Sequence, residues 1–88
     1  MIPVKAAVAK AVEFAQTVLE PAASSQLLLE EVEIAERNGR DVWNITLSMP
    51  RDLIVGLPTS NRDYKTFTVD GETGEVLSMK IRELAGMR

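Results

Sequence analysis

The stretch LLLEEVEIAERNGRDVWNITLSM, residues 27–49, decides how the rest of the chain is read. Near its centre, Asn38-Gly39 is a strong hairpin signal, because both residue types accept the positive φ of a type I′ turn. If those two residues are the whole loop, Arg37 faces Arg40. The ladder then continues Ala35–Val42, Ile34–Trp43, Val32–Ile45, Glu30–Leu47 and Leu28–Met49. Facing residues share a side of the sheet. One side collects Leu28, Val32, Ile34, Trp43, Ile45, Leu47 and Met49, and the other collects Leu29, Glu31, Glu33, Asn44, Thr46 and Ser48. A one-residue slip would mix the two sets, so turn and alternation choose the same register. Glu30 is the exception on the apolar side, which puts it at the rim or marks a bulge.

Upstream, Val4, Ala7, Val8, Ala11, Val12, Ala15, Val18 and Leu19 recur at spacings of three and four, one apolar stripe on a helix. Pro3 stands in the first turn, where its missing N–H costs nothing. Glu20-Pro21 ends the helix, since proline disfavours a helical conformation in the residue before it. Ala22 to Gln26 reads as a loop. Downstream, Tyr64 to Val69 alternates, with Phe67 and Val69 on one side and Tyr64, Thr66 and Thr68 on the other. Val76 to Ile81 alternates again and groups Leu77, Met79 and Ile81. The expected fold is α+β: one N-terminal helix packed on a four-stranded antiparallel sheet, a meander, in a single domain spanning 1–88.

Between the last two strands, TVDGETGEV places Asp70, Glu72 and Glu75 around two glycines. A calcium loop of the EF-hand kind needs glycine sixth and glutamate twelfth. Counted from Asp70, the fifth residue is Gly74 and the twelfth is Ile81. The expectation is therefore a turn, with Asp70 bonding back to the backbone and Gly74 left-handed.

Composition narrows the chemistry. The 88 residues hold no cysteine and no histidine, which removes Ser–His and Cys–His nucleophiles and ordinary zinc sites. The net charge of −3 repels phosphate, so nucleic acid is not expected as a partner. Lys5, Lys10, Glu13 and Gln16 interrupt the apolar start, which leaves no h-region and no membrane span. A cytoplasmic location is expected, with no cofactor and no catalytic set.

The aromatic-led strand at Trp43 and the hairpin YKTFTVDGETGEVLSMKI resemble the PepSY domain, in which a helix packs on an antiparallel sheet. The matching positions are Trp43, Tyr64, Val69, Asp70, Thr73, Gly74 and Val76. The helix-plus-sheet order is also similar to cystatin-like folds. The resemblance implies a domain that binds partners or restrains a peptidase and carries no catalytic residues.

Two surfaces invite a partner. In the connection 50–63, Leu53, Ile54, Val55 and Leu57, flanked by residues such as Arg62, read either as a protein-binding surface or as a cap on the core. A sheet edge could pair with a second copy, although Glu30, Glu31, Glu33 and Glu36 read as charges that discourage edge pairing. Lys80 and Arg82 read as a solvated basic patch. The expected function is a non-catalytic protein-binding or regulatory module. The alternative is a small-ligand-binding regulatory domain with a pocket between helix and sheet, where the alanines leave room.

Overall fold

A computed structural model gives the architecture and describes residues 1–24, 26–50 and 62–82. The order is α1 (Val4–Val18), α2 (Pro21–Ser24), β1 (Leu28–Arg37), β2 (Arg40–Pro50), β3 (Arg62–Asp70) and β4 (Val76–Ile81). The four strands form one antiparallel meander, β1-β2-β3-β4, with α1 packed on one face. This is the expected α+β arrangement. Among the described residues no helix is long and apolar enough to cross a membrane.

The β1–β2 hairpin turns where the residue types dictate, with Asn38 at φ 54° and Gly39 at φ 79°. From Arg37↔Arg40 through Ala35↔Val42, Ile34↔Trp43 and Val32↔Ile45 to Glu31↔Thr46, pairing follows the alternation. It then breaks. A bulge between Leu29 and Glu31 sets Leu29 opposite Leu47 and Leu28 opposite Ser48. The expected pairs Glu30–Leu47 and Leu28–Met49 are thus corrected. Leu29, not Leu28, lies on the helix side, because one extra residue reverses the parity of everything beyond it. A second bulge, between Thr68 and Val69, pairs Val69 with Val76, so Val76 rather than Leu77 joins Met79 against the core.

The core lies between α1 and the central strands. Ala7, Ala11 and Ala15 are completely buried and share a cluster with Ile45, Leu47, Met49, Phe67 and Val69. Small side chains let the helix backbone approach the sheet, and the large residues come from the strands. Phe14, outside the expected stripe, packs edge-on against Phe67 with ring centroids 6.2 Å apart. Val4 and Val18, inside that stripe, are exposed at its ends. The start of α1 is tied down by Ile2, whose N–H donates to the Gly71 carbonyl and whose carbonyl accepts from Trp43 Nε1 at 3.1 Å. A methyl on Gly71 would stand 2.6 Å from the Asp41 carbonyl, so only glycine permits this approach.

Three further expectations are corrected. Ile34 pairs with Trp43 as expected yet stays 58 % exposed, since α1 covers the middle of the sheet and leaves β1 outside its shadow. The expected loop at 22–26 overlaps the helical turn α2, which begins at Pro21, the position where proline is tolerated best. Strand pairing also extends to Pro50↔Arg62, which takes both residues out of the connection.

Ala11→Leu should destabilise the fold by about 1–3 kcal/mol, as overpacking under a close helix does. Ile34→Ser should change stability by less than about 0.5 kcal/mol. Urea unfolding of the two variants checks the contrast.

Candidate functional site

β1 is an edge strand, paired on one side by β2. A two-residue hairpin loop makes its flanking residues, Arg37 and Arg40, a hydrogen-bonded pair, and bonding then alternates along the ladder. Ala35 and Glu33 therefore turn their backbone groups to β2. Val32, Ile34 and Glu36 turn theirs outward, where no described strand receives them. Their side chains lie on the helix side of the sheet. There Leu29 and Val32 meet Val4, Lys5, Val8 and Ala9 of α1 around a groove of about 390 Å³. Leu29 is 52 % exposed, so an apolar channel runs beside an unpaired row of backbone donors and acceptors.

The face opposite α1 is polar and cross-linked. Thr46 and Thr66 hydroxyls lie 2.9 Å apart, and Thr68 Oγ1 donates to Asn44 Oδ1 at 2.8 Å. The bulge delivers Glu30 to this face, where its carboxylate accepts from the fully buried Ser48 hydroxyl at 2.7 Å. Glu30 and Glu31 were expected on opposite faces; the structure sets both beside one cleft of about 210 Å³ with Thr46, Tyr64 and Arg82. Arg82 binds Glu31 and donates to Thr46 Oγ1 at 3.2 Å, and Arg37 Nη1 donates to Ser78 Oγ at 3.2 Å. Both contacts join β1 to the β4 end of the sheet over two intervening strands. At about 4.8 Å per strand a flat sheet would hold its edges roughly 14 Å apart. The extended arginine side chains reach over that distance along the polar face.

Arg62 acts within the chain. Its guanidinium donates to Ser48 Oγ (2.8 Å), to the Ser48 carbonyl (3.0 Å) and to the Gln26 carbonyl (2.7 Å), locking the start of β3 to the segment before β1. Of the other residues expected at a partner surface, Leu53, Ile54, Val55 and Leu57 lie outside the described residues.

At the β3–β4 turn Asp70 bonds back to the backbone as expected. Its Oδ1 accepts from the N–H of Glu72 (2.7 Å) and of Thr73 (3.1 Å), and Gly74 is left-handed at φ 78°. The Oδ2 atom faces Arg40 Nη1 at 3.2 Å. The Glu72 amide, then the Thr73 amide, hold the Asp70 carboxyl below the ordinary 3.8, loss of water opposes them, and Arg40 adds to the lowering. Both carboxylate oxygens are thus engaged by the turn and its neighbour.

Of the two readings the sequence left open for Glu30, rim or bulge, the structure shows the bulge. A glutamate out of step in an otherwise regular strand marks the residue that the bulge turns over. No family model, curated protein or solved structure matches the chain.

Two outcomes follow. Because folding depresses the Asp70 value, its charge contributes stability that is complete above about pH 3.8 and is lost as pH falls through the lower folded value. The stability gap between wild type and Asp70→Asn should accordingly be constant above that pH and shrink below it in acid titrations of urea unfolding. Arg62→Met leaves Ser48 and Gln26 acceptors without their donor and should cost about 1–3 kcal/mol, read by thermal unfolding.

Proposed function

We propose that the chain is a non-catalytic protein-binding or regulatory module of the cytoplasm that holds a partner strand along β1. The observation that supports this role is the outward backbone of Val32, Ile34 and Glu36 set beside the apolar groove formed with α1. Strand addition draws affinity from main-chain hydrogen bonds and specificity from pockets for alternate side chains, and β1 offers both. Exposed apolar residues here are contiguous, which distinguishes them from the scattered ones any surface carries. The PepSY-like pattern around Asp70, Thr73 and Gly74 agrees with a binding domain that has no catalytic set.

A second role is favoured by one observation. The groove of Val4, Val8, Ala9, Leu29 and Val32 lies between helix and sheet and is large enough for a small apolar molecule. Two variants separate the roles. Ile34→Pro removes an outward donor at an edge position that tolerates proline, and Val8→Trp fills the groove. Affinity capture from the native cell should lose a stoichiometric protein with Ile34→Pro while Tm barely moves. Loss of a co-purifying small molecule with Val8→Trp, and no effect of Ile34→Pro, would reverse the assignment.

A further inference from the structure

We propose that the strand β1 receives is β4 of a second copy of this chain. The inference rests on β1 being a binding edge and adds the identity of its occupant. The Arg82 N–H donates to the Tyr64 carbonyl at 2.7 Å, so Arg82 and, two residues back, Lys80 turn their backbones toward β3. Met79 and Ile81 then turn theirs outward, on the edge of β4 that no described strand pairs with. Their side chains share the helix side, where Met79 packs against the core and Ile81 is 77 % exposed. Lys80 and Arg82 lie on the polar face, where Thr66, the partner of Lys80, also lies.

β1 offers the complement of this pattern. Its outward residues Val32 and Ile34 carry apolar side chains on the helix side, and Glu31 and Glu33 stand on the polar face. One antiparallel register sets Ile81 of the second copy against Val32 and Met79 against Ile34. The same register puts Lys80 opposite Glu33 and Arg82 opposite Glu31. A shift of two residues either way sets Arg82 opposite Leu29 or Lys80 opposite Ala35, and one cation loses its acid. Pairing β1 with another β1 brings together two strands that each hold Glu30, Glu31, Glu33 and Glu36 against the single Arg37.

Direction and shape agree with this assignment. In a four-stranded meander β1 and β4 run oppositely, so a two-fold axis along the strands makes β4 of each copy antiparallel to β1 of the other. Arg82 and Arg37 reach from one edge toward the other over the polar face, so charged side chains of both edges gather on the side where a second sheet would face the first. Two such sheets close an eight-stranded barrel with the helices outside and no free edge. Arg82 exchanges Glu31 of its own chain for Glu31 of the second copy. The assembly is closed, as most homo-oligomers are.

Sedimentation of wild type and charge variants tests the pairing. Glu33 and Lys80 are exposed and make no side-chain hydrogen bond or ion pair among the described residues, so their substitution leaves the fold of each copy in place, as an unchanged far-ultraviolet circular dichroism spectrum verifies. Wild type should be dimeric. Glu33→Lys and Lys80→Glu should each weaken the dimer about tenfold, and the double variant should restore it. The chain has no cysteine, so E33C and K80C, each silent alone, should form a disulfide-linked pair when mixed, since opposed residues stand about 4.5 Å apart. Linking of E33C to itself overturns the proposal in favour of β1–β1 contact. A wild type that stays monomeric but captures another protein through an edge sensitive to Ile34→Pro overturns self-pairing and leaves the binding role intact. A monomer without such capture overturns both.

Discussion

The fold depends on how closely α1 lies on the sheet. Ala7, Ala11 and Ala15 present only methyl groups to β2 and β3 and are fully excluded from water. Phe67, Ile45, Leu47 and Met49 then supply most of the buried apolar volume from the strand side. Each such side chain contributes about 1.5–3 kcal/mol on burial. A small domain has few of them, so the narrow contact under the alanines cannot be loosened without losing much of the core. The room that alanines leave is taken up by the sheet, and the open groove lies to one side, between α1 and β1.

That placement has a consequence for β1. A helix seated over the central strands shields them and leaves much of the outer strand β1 in water, so that Leu29 and Ile34 on its helix side are each more than half exposed. These exposed apolar residues, beside backbone groups that no described strand receives, give β1 the character of an interface. Its glutamates limit which strands can approach. The alternation of Met79, Lys80, Ile81 and Arg82 on the opposite edge supplies a strand of the opposite charge with matching apolar spacing.

The two bulges show how one residue redistributes function. At Glu30 the extra residue moves a carboxylate off the apolar side and onto Ser48, which Arg62 holds from the other direction. At Leu77 it rotates Val76 inward. Both act through strand parity, because a strand has two faces and an inserted residue exchanges them. The polar face is consequently a hydrogen-bonded layer, joined across four strands by Arg37 and Arg82.

The sequence by itself determined the local choices. Asn38 and Gly39 specified their turn, Asp70 to Gly74 specified theirs, and period-two alternation specified which face of β2 and β3 is apolar, because each of these depends on neighbours within a few residues. It also carried the order of helix and strands. Only the tertiary structure decided which apolar residues are covered. Ile34 and Ala11 both follow their element's apolar period, yet one is exposed and the other buried, since burial depends on where a distant helix comes to rest. The partnerships of Arg62 with Ser48 and of Arg82 with Glu31 belong to the same class: they join residues 14 and 51 positions apart, and no local pattern records contacts between strands brought together by the fold.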